Sequence, residues 1–94
     1  MSTVAKFQIE YVQYLDADGK TTRNDLPDFA QDGKTLVDLY QRMSFLRVFD
    51  AKAVALQRTG KLGTYASCLG HEAAHVGIGA AMLPEDVFCP MYRE

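Results

Sequence analysis

Tryptophan is absent from the 94-residue sequence, proline occurs three times, and cysteine only twice, at Cys68 and Cys89. Two cysteines outside any CxxC arrangement make neither a disulfide framework nor a zinc ribbon, and both are expected to be small, buried, reduced thiols. Excess charge of one sign is also missing. Ten lysines and arginines stand against twelve aspartates and glutamates, a net charge of −2, which excludes a strongly cationic nucleic-acid or membrane-surface binder. No apolar run approaches the ~20 residues that cross a bilayer, and Met1 to Lys6 lacks the apolar core of a secretion signal. These absences give a cytoplasmic reading with no membrane partner and no nucleic-acid partner. Apolar residues are plentiful, at 48% against 23% charged, so the chain belongs with folding sequences rather than disordered ones. Five phenylalanines and five tyrosines are more than so short a chain is expected to cover alone.

Residues 1–31 read as an arm and residues 32–94 as a helical unit. Phe7, Ile9 and Tyr11 alternate with Gln8 and Glu10 at the strand period, and the alternation slips where Tyr11 and Val12 adjoin. Asp16-Ala17-Asp18-Gly19 is turn chemistry and Lys20-Thr21-Thr22 can return, which predicts a short β-hairpin. Two strands are marginal in water, so this arm is expected to lie on the helices or on another chain. After Pro27, either Asp32 or Thr35 supplies an N-cap. Leu36, Leu39, Tyr40, Met43, Leu46, Phe49, Ala53 and Leu56 then recur at steps of three or four. That spacing predicts one long helix to about Thr59, with Gly60 after it as an αL terminator and Arg58 and Lys61 at the negative end of the dipole. Phe45 and Val48 lie off the stripe, so the helix is expected to pack on more than one side. Gly70 to Met82 reads as a second helix. Gly77 and Gly79 cost it about 1 kcal/mol each relative to alanine, which predicts close approach of another backbone across Gly70, Ala73, Ala74, Gly77 and Ala81. Val87-Phe88-Cys89 is apolar enough for a short buried strand.

Two patterns carry chemistry. His71-Glu72-Ala73-Ala74-His75 fits HExxH, in which histidines one helical turn apart bind zinc and the glutamate activates water. The extended form fails, because Ile78 and Ala81 occupy its further positions and no third histidine exists. Glu85 and Glu94 remain as third ligands for a small zinc hydrolase, while a structural helix explains the same string without metal. The second pattern is Tyr92-Arg93. A guanidinium with its fork of donors suits phosphate oxygens, and a neighbouring phenol adds one more hydrogen bond.

Five blocks in order resemble a family. They are Leu39-Tyr40-Gln41-Arg42-Met43, Arg47-Val48-Phe49-Asp50-Ala51-Lys52, the run from Leu56 to Tyr65, Gly70-His71-Glu72-Ala73, and Pro84-Glu85-Asp86 with Pro90 to Glu94. Together they are similar to the amino-terminal part of the alpha subunit of a thiamine diphosphate-dependent 2-oxo acid dehydrogenase, the pyruvate type most of all, and Phe7 to Phe29 resembles its amino-terminal arm. The resemblance implies that Gly70 to Ala73 opens a helix near the cofactor and that Tyr92 and Arg93 contact the diphosphate. No catalytic and no metal-ligating residue carries over. The family's Gly-Asp-Gly segment, which helps hold Mg2+, does not occur among these residues, so the chain alone is expected to bind no cofactor and to be inactive.

The expectation for the chain is therefore a mainly α fold with an N-terminal β-hairpin, the first piece of a three-layer α/β thiamine diphosphate-binding domain. By resemblance its partners are the dehydrogenase beta subunit, in an α2β2 heterotetramer, and a lipoyl-bearing acyltransferase core that accepts the acyl group. A long helix without the sheet it normally covers leaves apolar surface bare, so self-association of the piece is expected. A non-catalytic subunit-interaction module is the alternative reading.

Overall fold

The computed structural model describes all of residues 1–94. It separates into two units, Met1–Gln31 and Asp32–Glu94, each considered on its own. No helix is long and apolar enough to cross a membrane.

In the first unit the expected hairpin is not formed. Its turn is present: Asp16 Oδ1 accepts from the backbone N–H groups of Asp18 and Lys20 at 2.9 and 2.8 Å, and Gly19 takes a positive φ of 78°. An aspartate that satisfies the amides two and four residues on closes such a turn, and glycine takes the left-handed position without a steric penalty. Pairing then stops after one isolated antiparallel bridge, Leu15 with Thr21. The flanking residues that were to extend it, Phe7, Ile9 and Tyr11, are 84–91% exposed. Strand pairing gains little when neither face covers apolar surface, and here neither does. A short 3-10 turn, Asp28–Gln31, ends the unit.

The second unit is built from two helices, α1 (Gly33–Arg58) and α2 (Glu72–Ala81). Of the two candidate caps the chain uses Asp32, whose carboxylate accepts from Lys34 N–H at 3.2 Å and from the Thr35 hydroxyl at 2.6 Å. At the other end Gly60, with φ +72°, donates to Gln57 O at 3.1 Å while Lys61 N–H donates to Leu56 O at 2.9 Å. These paired 5→2 and 6→1 bonds satisfy carbonyls that the last turn would otherwise leave open. The helix thus ends where the glycine and the preceding Arg58 predict.

Apolar side chains run around most of α1 rather than along one stripe. Val37, Tyr40, Phe45, Val48 and Phe49 are all more than half exposed, and the buried residues of the helix are Asp50 and Ala53. In the whole chain four residues are buried, Asp50, Ala53, Cys68 and Glu72, and two of those are carboxylates. The unit is therefore held at its centre by polar contacts as much as by apolar packing.

Three further expectations are corrected. No other element approaches Gly77 or Gly79 within 4 Å of where a Cβ would stand, and residues 77–81 of α2 are exposed. Val87 to Cys89 is irregular and exposed rather than a buried strand, with no neighbouring strand to pair with. Cys68 is buried as expected, whereas Cys89 is exposed, since it sits on that same unpaired segment.

Candidate functional site

The connector between the helices is fastened to α1 by Asp50. Oδ1 accepts from the Tyr65 hydroxyl at 2.7 Å and from Cys68 N–H at 2.8 Å, and Oδ2 accepts from the Ser67 hydroxyl at 2.6 Å. Hydrogen bonds from Ser67, Cys68 and Tyr65, in that order of weight, hold the Asp50 carboxyl far below the usual carboxylate range. Burial, with the Asp50 charge beside it, pushes the Tyr65 phenol up to about 12, and burial likewise raises the Cys68 thiol. Burial and the neighbouring Asp50 carboxylate both disfavour the Cys68 thiolate.

A second fastening lies one helical turn back. Arg47 Nε donates to Glu72 Oε1 at 2.8 Å, and Gly70 N–H donates to Oε2 at 3.0 Å. The hydrogen bond from Arg47 is the main reason Glu72 falls to about 2. Glu72 also opens α2, where a carboxylate complements the positive end of the dipole. Both oxygens of the HExxH glutamate are therefore committed, Oε1 to holding α2 on α1 and Oε2 to the connector just before α2. His71 stands at the N-cap with no side-chain cap bond, and its ring meets that of His75 edge-on at 5.8 Å. No set of three or more histidine, cysteine or carboxylate side chains is placed to hold a metal ion. The string has a structural explanation in the bond from Glu72 to Arg47.

These clamps fix how stability depends on pH. In the unfolded chain Glu72 and Asp50 take up protons near 4.5 and 3.8, while their folded values lie lower. The unfolded state then binds more protons as pH falls, so stability drops below about pH 5 and goes on dropping towards pH 2. Tyr65 and Cys68 act with the opposite sign: the unfolded groups ionise first, from their ordinary values of 10.0 and 9.0, and stability falls as pH rises through that range. We expect a thermal midpoint that is flat between about pH 5 and 9 and declines on both sides. A midpoint that rises on acidification below pH 4.5 would contradict the two clamps.

Tyr92 and Arg93 lie in a terminal turn that Met91 N–H closes by donating to Glu94 Oε2 at 2.8 Å. Arg93 reaches back to the connector, where Nη1 donates to the Ser67 carbonyl, and its guanidinium lies 5.4 Å from the centre of the Tyr92 ring. Arg93 makes no other hydrogen bond within the chain, so Nε and Nη2 remain unpartnered, and Tyr92 is 77% exposed. The structure attaches Arg93 to the connector fixed by Asp50, and Tyr92 is its neighbour in sequence with no bond to the connector. It does not bring them to the open pocket of about 390 Å³ between α1 and the start of α2, which is lined by Tyr40, Met43, Ser44, Arg47, Val48 and Glu72. Sequence reasoning missed Asp50. Its signal was a lone carboxylate one turn before the small Ala53 and one turn after Leu46, on the helix face that turned out to be covered.

Residues 40–94 match the dehydrogenase E1 component family. The chain belongs to that family. Over 93 residues, 98% of its length, it is 40% identical to the pyruvate dehydrogenase E1 component subunit alpha of Staphylococcus epidermidis and 39% identical to that of Staphylococcus aureus. The alpha-subunit resemblance read from the five blocks is thereby shown. The matched region is 24% of the length of these relatives, so the chain spans about a quarter of them. No solved structure matches it. Within the E1 family region fall both clamps and the Tyr92-Arg93 pair.

Proposed function

We propose that this E1-family chain acts as part of the alpha subunit of a 2-oxo acid dehydrogenase, with pyruvate as the favoured substrate, and that Tyr92 and Arg93 bind the diphosphate of thiamine diphosphate. The observation that supports this reading is the state of Arg93: one nitrogen anchors it to the connector and the others are spare. An arginine held in this way offers a fixed positive charge and several directed donors, the arrangement that suits a phosphate oxygen. The Tyr92 hydroxyl, exposed beside it, has room to add a neutral donor. The donor set therefore fits a diphosphate, while one guanidinium cannot balance two phosphates. A magnesium ion has to supply the remaining charge, and the Gly-Asp-Gly segment that the family resemblance associates with it is not among these 94 residues.

When bound, thiamine diphosphate supplies the carbon nucleophile for decarboxylation of a 2-oxo acid. The part of this chain is to orient the diphosphate end through Arg93 and Tyr92, with Asp50 and Glu72 keeping the supporting elements in place. A beta subunit completes the assembly, and a lipoyl-bearing acyltransferase core takes the acyl group. The test is to co-express the alpha subunit carrying this sequence with a pyruvate-type beta subunit and supply thiamine diphosphate and Mg2+. Co-purification and pyruvate-dependent release of carbon dioxide are expected; failure of both would overturn the proposal.

A second reading has its own support. The exposed phenylalanines and valine of α1 favour a surface that another chain covers, so the 94-residue chain by itself is expected to self-associate.

A further inference from the structure

The peptide unit that joins Ser67 to Cys68 is gripped at both ends. Its N–H, on Cys68, donates to Asp50 Oδ1 at 2.8 Å, and its carbonyl, on Ser67, accepts from Arg93 Nη1. The chain contains no cis peptide bond, so this N–H and C=O point in opposite directions across one rigid plane. A carboxylate on α1 thus fixes the direction in which a carbonyl presents itself to Arg93. The same carboxylate also accepts from the Ser67 and Tyr65 hydroxyls at 2.6 and 2.7 Å. An amide whose N–H is bonded to an anion is also polarised, which makes its carbonyl a stronger acceptor. Asp50 and Arg93 form no ion pair with each other; the ion pairs present are Arg23 with Asp25, Arg42 with Asp38 and Arg47 with Glu72. Whatever Asp50 does for Arg93, it does through the peptide.

We propose that Asp50 is the positioning residue for Arg93, holding the guanidinium by way of the Ser67–Cys68 peptide so that Nε and Nη2 stay available to a diphosphate. The inference rests on the reading of Arg93 as a diphosphate donor, and the experiment separates the two. In the full chain, rotation of the Arg93 guanidinium about its Nε–Cζ bond, slowed by the Nη1 bond, is followed by nitrogen-15 exchange spectroscopy. Asp50→Ala is expected to speed that rotation about tenfold, the scale of one lost charge-polarised hydrogen bond. Asp50→Asn, which keeps an oxygen for Cys68 N–H, is expected to restore most of the restraint. Ser67→Ala and Tyr65→Phe remove other bonds of the same carboxylate but leave the peptide grip, and are expected to stay close to wild type. If Asp50→Ala does not fold, Asp50→Glu serves instead: the charge is retained but displaced by one methylene, and rotation is again expected to quicken. Unchanged rotation in a folded Asp50 variant, or equal quickening in Tyr65→Phe and Ser67→Ala, would overturn the positioning role. Titration with inorganic pyrophosphate at fixed Mg2+, on the alpha subunit carrying this sequence assembled with a beta subunit, supplies the other arm. Wild-type affinity in Arg93→Ala would sink the diphosphate reading alone and leave the rotation result to judge Asp50.

Discussion

Replacing Phe45 and Phe49 with glutamate is expected to weaken self-association of the 94-residue chain by more than tenfold while α1 stays helical. Phe45 is 74% exposed, Val48 70% and Phe49 54%, and their spacing of three and four residues puts them on adjoining turns of one helix face. A contact that buries one such side chain contributes ~1.5–3 kcal/mol, and every 1.4 kcal/mol is about a factor of ten in affinity. Two introduced carboxylates on each copy add like-charge repulsion across any symmetric contact. Sedimentation across a concentration series reads the result. Wild-type chain that sediments as one monomeric species at all concentrations would show that this face needs no cover.

The second large effect is expected from Asp50→Ala. That substitution strips an acceptor from three donors at once, including the backbone N–H of a residue that is only 4% exposed. A buried amide left without its partner is costly. Hydrogen exchange should quicken at least about tenfold at Cys68, while the middle of α1, whose bonds are internal, stays protected. The pH profile should change shape as well. Without Asp50 the acid decline becomes shallower, resting on Glu72, Asp32 and Asp25, and the alkaline decline becomes shallower too, because the Tyr65 phenol loses the carboxylate that, after burial, holds it above its unfolded value. An unaltered profile would place the clamp elsewhere.

Helix α1 was legible because its ends are chemical: an aspartate that caps and a glycine that takes a positive φ act within a few residues of themselves. The turn at Asp16 was legible for the same reason. The strands flanking it were not, since alternation at Phe7, Ile9 and Tyr11 records what a segment would bury if something lay over it. The glycines of α2 mislead in the same way, marking room for a close neighbour that residues 1–94 do not place there. Asp50 was hidden by its surroundings in sequence. A single carboxylate among Phe49, Ala51 and Lys52 looks like the solvated side of a helix, and only the return of residues 65 to 68 shows which side is covered. Tyr92 and Arg93 could be chosen from their chemistry, but their attachment to Ser67 depends on how a distant connector is folded.

Arg93 is the residue proposed to hold the diphosphate. Thiamine diphosphate affinity, measured by calorimetry for the alpha–beta assembly and for its Arg93→Ala variant at fixed Mg2+, tests it most directly. Loss of a fixed guanidinium and its charge-assisted bonds to phosphate is expected to weaken binding roughly 100-fold, with the assembly still intact by sedimentation. Equal affinity in the two proteins would mean that the diphosphate is held by other groups, and that the contact from Arg93 to Ser67 serves only to tie down the end of the chain.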